Sequence, residues 1–180
     1  MNYEFREICQ KVNVAIGILL KNDAVLLIND VNERSITHKL AEYLQLQFPD
    51  WDVDCEYNRK GDATKTIDGN MEECAEHKKQ YRVYPDIIIH RRNTNDNLLV
   101  IEVKKNTSTK NKECDERKLI EFTKKGEYHY SYGLFIEFYE SLKCIGEWYE
   151  KGIKNEKLGK LMIRHGGAPS GVAALIAPVD

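Results

Sequence analysis

Between Glu4 and Leu20 the apolar residues Ile8, Val12, Ala15, Ile16, Leu19 and Leu20 recur at helical intervals, which predicts an amphipathic helix. Lys21-Asn22-Asp23 is a polar break. A second helical stretch begins at Ala24 or Asp30 and runs to Gln47, where Pro49 closes it. From Trp51 to Asn58 the period changes to two. Trp51, Val53, Cys55 and Tyr57 alternate with Asp52, Asp54, Glu56 and Asn58, the pattern of a half-buried strand. Arg59 to Gln80 is polar, carries Gly61 and Gly69, and predicts a long connection or a partly helical insertion.

Two more strands are expected at Asp86 to Arg91 and Leu98 to Lys104, joined by the turn-forming Asn93-Thr94-Asn95-Asp96-Asn97. A polar loop, Thr107 to Lys112, leads to a short helix from Cys114 to Lys124, with Asp115, Leu119 and Phe122 on one side. Tyr128 to Tyr139, rich in aromatic and β-branched residues, reads as a strand. Ser141 to Ile163 is expected to be partly helical, although Gly146, Gly152 and Gly159 weigh against a long helix. From Gly166 onward the composition shifts to Gly, Ala, Pro and Val, matching neither period. The order of elements predicts an α/β domain.

Composition narrows the partners. With 27 Lys+Arg against 29 Asp+Glu, the formal net charge is −2. A globally basic coat is excluded, so any polyanion must be met by a local patch. Apolar runs are too short to cross a bilayer. The first ten residues carry charges of both signs and do not resemble a signal peptide, so the expected setting is cytoplasmic, away from membranes. Five scattered cysteines without a C-x-x-C pair do not predict a disulfide framework, and Cys74 with His77 lacks the second pair a structural zinc requires.

The chemistry concentrates in Tyr84-Pro85-Asp86-Ile87-Ile88-Ile89-His90 and Leu98-Leu99-Val100-Ile101-Glu102-Val103-Lys104-Lys105. In an antiparallel hairpin the start of one strand lies opposite the end of the next, which brings Asp86 near Glu102. The two-residue period sets Leu98, Val100, Glu102 and Lys104 on one face. Both strands are otherwise apolar, so Glu102 and Lys104 interrupt a sequence that reads as buried. Two carboxylates and the Val103 carbonyl suit Mg²⁺, with Mn²⁺ as a substitute, and leave coordination places for water and a phosphate oxygen. A lysine beside them can orient that water or stabilise developing charge.

Pro85-Asp86 and Glu102-Val103-Lys104, at their strand, turn, strand positions, resemble the PD-(D/E)xK nuclease superfamily, whose fold is restriction-endonuclease-like. The resemblance implies a central mixed β-sheet flanked by helices, with 1–29 as an N-terminal helical extension and 30–165 as the nuclease-like domain, while the composition of 166–180 marks a flexible or non-native tail. It implies a Mg²⁺-dependent hydrolase cleaving phosphodiester bonds, in DNA before RNA, by metal-activated water. Asp86, Glu102 and the Val103 carbonyl would hold the ion, and Lys104 would act on the water. An acidic residue on the preceding helix often assists in this family, and Glu33 is the candidate. It shares a stripe with Ile36, Thr37, Leu40 and Leu44; the alternative is a capping box, Asp30-x-x-Glu33. Asp115 and Lys118 are candidates on the helix after the second strand. Arg91, Arg92, Lys105 and Lys118 are candidate nucleic-acid contacts, and Lys151 to Arg164 is a further mildly basic stretch. A homodimer or a larger defence or repair partner fits such small nucleases. The rival reading is a nuclease-like nucleic-acid-binding or accessory subunit, inactive or dependent on a partner.

Overall fold

A computed structural model describes residues 3–57, 84–108, 112–126 and 128–164, and within 59–82 the backbone of four short strands. The chain opens with α1 (Phe5–Asn22), the short α2 (Ala24–Ile28) and α3 (Glu33–Gln47). The strand β1 (Asp52–Cys55) follows. Two small ribbons pair β2 (Arg59–Lys60) with β3 (Ala63–Thr64) and β4 (Thr66–Asp68) with β5 (Gln80–Arg82). Then come β6 (Ile87–His90), β7 (Asn97–Lys105), α4 (Lys112–Thr123), β8 (Tyr132–Tyr139), β9 (Lys143–Glu150), β10 (Ile153–Lys154) and β11 (Lys160–Arg164).

Seven strands form one mixed, open sheet in the order β1-β6-β7-β8-β9, with β10 and β11 sharing the outer edge of β9. Only β7 and β8 run parallel, joined across the sheet by α4; every other neighbour is antiparallel. The fold is therefore α/β.

The sheet has two unlike faces. Ile87, Ile89, Leu99, Ile101, Leu134, Ile136, Phe138 and Trp148 pack with Ile8, Val12, Ile16 and Leu19 of α1 and Ile36, Leu40 and Leu44 of α3. Each such side chain contributes about 1.5–3 kcal/mol when fully withdrawn from water. α1 thus belongs to the main core rather than being appended to it. The opposite face holds a smaller cluster of Ile88, Val100, Phe135 and Tyr149 under Leu119 and Phe122 of α4, with Tyr128 and Tyr130.

Three expectations are corrected. The segment 143–164 is not helical: it forms β9, β10, a single 3-10 turn and β11. The helical reading failed because both faces of β9 are buried in part, which hides the two-residue period. Its glycines serve the sheet. A Cβ at Gly146 would stand 3.1 Å from both the Leu134 and the Leu161 side chains, so glycine permits close strand packing. Lys151 and Gly152 both have positive φ (54° and 79°), as a two-residue hairpin turn requires. The second correction concerns Tyr57. Glu56 adopts φ 48°, which ends the alternation after Cys55, and Tyr57 packs on the α4 face beside His90 instead of with Trp51 and Val53.

Cys9, Cys55 and Cys144 are free thiols, whereas Cys114 is disulfide-bonded, unlike the expectation from cysteine spacing. Cys74, His77, His165 and the tail 166–180 lie outside the described residues. Among the described residues no helix is long and apolar enough to cross a membrane.

Candidate active site

β7 is longer than β6. Their pairing starts at Ile87 opposite Ile101, so Glu102 to Lys105 extend past the last β6 partner. Backbone N–H groups stranded on that edge need acceptors, and two carboxylates supply them. Val103 N donates to Asp86 Oδ2 at 2.8 Å, and Lys105 N donates to Glu33 Oε2 at 3.0 Å. The structure thereby brings Asp86 and Glu33 to alternate residues of one strand edge, a separation of roughly 7 Å along the strand. Because a strand residue's N–H and C=O leave on the same edge, the Val103 carbonyl faces this side too.

Glu33 is the first residue of α3. The helix cap is Asn32, whose side chain accepts from Arg34 N at 2.9 Å, so the Asp30 capping box does not form. Asp30 instead meets the Lys105 ammonium at 2.5 Å and the Thr107 hydroxyl at 3.0 Å. Lys105 Nζ also donates to the Asp30 and Val31 carbonyls. Lys105 therefore locks the start of α3 to the end of β7 rather than reaching outward.

On the α4 face, Glu102 is fully buried and Lys104 is 6 % exposed. Asp115 and Lys118 head the helix stripe that continues as Leu119 and Phe122, so the polar half of that stripe lies over the polar half of β7. Lys104 Nζ meets Asp115 Oδ2 at 2.6 Å. Lys118 Nζ bridges Glu102 Oε2 (2.5 Å) and Asp115 Oδ1 (2.8 Å). The second oxygen, Glu102 Oε1, is buried without a hydrogen-bond partner, an arrangement that costs free energy and is rare in native interiors.

Charge follows burial. Desolvation pushes the Glu102 carboxyl well above the usual carboxylate range, and Asp86 and Asp115 add to the rise. Burial also raises Asp86, against the Val103 N–H bond, with Asp115 and Glu33 contributing repulsion. Asp115 runs the other way: burial opposes its ionisation, but Lys118 and Lys104 hold it below the ordinary value. Burial likewise opposes the Lys118 ammonium, yet Glu102 and Asp115 raise its pKa. Three carboxylates, from the segment before β6, from β7 and from α4, are thus shifted together with the Lys118 ammonium set among them. Such mutually perturbed groups mark functional sites more often than chance.

The other candidates lie elsewhere. Arg92 binds Asp54 and sits 3.4 Å from Asp52, while Arg91 lies over the Trp51 ring and 3.8 Å from Asp96. Both follow the far end of β6, roughly 13 Å of strand away from Asp86. His90 is buried and hydrogen-bonded to Asp54 at 2.8 Å, and His38 pairs with Glu42 on the surface. Asp115 and Lys118 are the candidates that the sequence offers on this helix. The stripe Asp115-Lys118-Leu119-Phe122 was the available signal, since charges that lead an apolar stripe face the sheet.

No three His, Cys, Asp or Glu side chains among the described residues converge tightly enough to hold a metal as they stand. The donor chemistry nevertheless fits a hard divalent cation: an unpartnered buried carboxylate oxygen, a second carboxylate raised by burial, and a positive charge already drawn to Glu102. Comparison with protein-family models and with curated proteins finds no match for the chain.

Proposed function

We propose that this protein is a metal-dependent nuclease of the PD-(D/E)xK kind, hydrolysing phosphodiester bonds in DNA on a restriction-endonuclease-like core. The observation that carries the reading is the buried Glu102 with its orphan oxygen, next to Asp86 on the neighbouring chain segment and two positions from the buried Lys104. The element order α3, β1, β6, β7, α4, β8 supports it, being the helix, strand, strand, strand, helix, strand succession that the resemblance implies.

Asp86, Glu102 and the Val103 carbonyl would hold Mg²⁺ or Mn²⁺, with Glu33 positioned on the same edge to assist. The ion would acidify its bound water and offset charge on the phosphorus in flight. Asp115 fixes the Lys104 ammonium inside the sheet's polar face, where Lys104 orients the attacking water and stabilises charge developing on the phosphate. Lys118 opposes the rise that burial imposes on Glu102, a compensation that a bound cation would supply in its place. The same ion pair is the observation favouring the alternative, a binding or accessory subunit that needs a partner to open the site.

The test is cleavage of single-stranded, duplex and branched DNA and of RNA in Mg²⁺, Mn²⁺ or EDTA, with Asp86→Ala and Lys104→Ala in parallel. Metal-dependent cleavage lost in both variants is expected; cleavage that survives both substitutions overturns the assigned site. Salt-sensitive binding without cleavage supports the accessory reading.

A further inference from the structure

The strand register carries the site's row of side chains across the sheet. Glu102 of β7 pairs with Phe135 of β8, Phe135 with Glu147 of β9, and Glu147 with Lys160 of β11. Directly opposed residues project from the same face, so this row runs from the carboxylate cluster to the outer edge. At its end Glu147 is met by lysines from three separate elements. Lys154 of β10 approaches at 2.8 Å, Lys112 at the start of α4 at 3.6 Å, and Lys160 stands across the register. Lys112 also lies 4.6 Å over the Phe135 ring and 3.8 Å from Glu116. Glu147 is mostly covered (13 % exposed), whereas the Lys112 and Lys154 side chains are 43 % and 40 % exposed and Lys160 is exposed.

A single ammonium is enough to neutralise a carboxylate. Two ammoniums pair with Glu147 and a third stands across the register, so that even with Glu116 at the rim one positive charge is left over beside a nearly buried anchor. We propose that Lys112, Lys154 and Lys160 form a phosphate-backbone subsite for DNA, continuous with the carboxylate cluster and organised by Glu147. The subsite rests on the nuclease reading for its substrate. Three strand spacings separate Lys160 from Glu102, roughly 14 Å, which corresponds to about four nucleotides of rise along a duplex strand. The subsite therefore grips the backbone beyond the bond that is cut, and answers how a chain of net charge −2 retains a polyanion.

The test is fluorescence anisotropy with a labelled DNA duplex, and an RNA of the same sequence, across a salt series in EDTA. The wild type is compared with the Lys112→Gln/Lys154→Gln/Lys160→Gln variant, with Lys160→Gln alone, and with Lys157→Gln as a lysine outside the row. For DNA we expect the triple variant to lose roughly tenfold or more in affinity, and its log K against log salt slope to shrink by about 2.7. Lys160→Gln, an exposed position that does not endanger folding, should shrink the slope by about 0.9. Lys157→Gln should match the wild type. Unchanged affinity and slope in both Lys160→Gln and the triple variant overturn the subsite, even if the wild type cleaves DNA. A reduced slope in a protein that cleaves nothing with any metal supports the subsite and overturns the nuclease reading. A loss confined to RNA overturns the assignment to DNA.

Discussion

The two faces of the sheet are built from the same strands and solve different problems. Along β7, Leu99, Ile101 and Val103 join the large core under α1 and α3, while Val100, Glu102 and Lys104 face α4. The first face is apolar along β7 from Leu99 to Val103. The second buries a glutamate and a lysine on one strand and completes them with Asp115 and Lys118 from the helix above. Replacing buried ionic groups by apolar ones is often neutral or stabilising, so folding alone does not account for this cluster. The α1–α3 face supplies apolar stabilisation, whereas the α4 face buries the charges on which the proposed nuclease activity rests.

The strongest way to separate the faces is Glu102→Gln. Cleavage should fall on the order of 10³-fold and Mn²⁺ binding, read by calorimetry, should vanish. The metal-free melting temperature should stay level or rise, because a buried charge has been removed while Lys118 retains Asp115. A large drop in melting temperature would show that the α4 face is structural after all.

Lys118→Met removes the ammonium and leaves Glu102 buried without a counter-charge. At pH 8 this should destabilise by about 3–5 kcal/mol in urea unfolding. Burial raises the Glu102 carboxyl above its ordinary value, so lowering the pH from 8 to 5 favours its neutral form and the loss should shrink. An equal loss at both pH values would contradict the proposed ionisation of Glu102.

On the other face, Ile101→Ala should cost about 2–5 kcal/mol by cavity formation. That cost should not vary between pH 5 and pH 8, since its cross-strand partners Ile87 and Leu134 are apolar.

The smallest effect is expected from Asp86→Asn, on the order of 1 kcal/mol, with a definite sign. A carboxyl whose pKa is raised on folding lends stability that is full below its unfolded pKa and is lost as pH rises through the folded value. Asparagine escapes that loss and still accepts from Val103 N. The melting temperature of Asp86→Asn minus that of the wild type should therefore grow from pH 4 to pH 8. A difference that shrinks over that range would mean that the Val103 hydrogen bond to the charged form outweighs desolvation.

Local patterns were readable wherever one face of an element was apolar and the other wet. α1, α3, β1 and α4 follow from such periods, whereas β6, β7 and β8, buried on both faces, follow from short apolar or aromatic runs between turn signals. β9 escaped notice because neither of its faces is consistently polar, and the three glycines of its neighbourhood looked like helix breakers rather than strand contacts and turns. Of the candidate site, Asp86, Glu102 and Lys104 were legible because charges in apolar strands contradict their surroundings. Glu33 was legible as an acid in an apolar stripe, but its choice between cap and strand edge was not.

By itself, then, the sequence determined the α/β class, the hairpin and the carboxylates that interrupt it, since periodicity and burial conflict are local properties of the chain. Only the tertiary structure decided which partners those charges meet. That α3 lends Glu33 to Lys105 N, that Lys118 rather than solvent faces Glu102, and that Lys112 of α4 reaches Glu147 of β9 all depend on contacts between separate elements of the chain. Electrostatic partnership is set by distance in space and by exclusion of water, and neither is written into the spacing of residues along one strand.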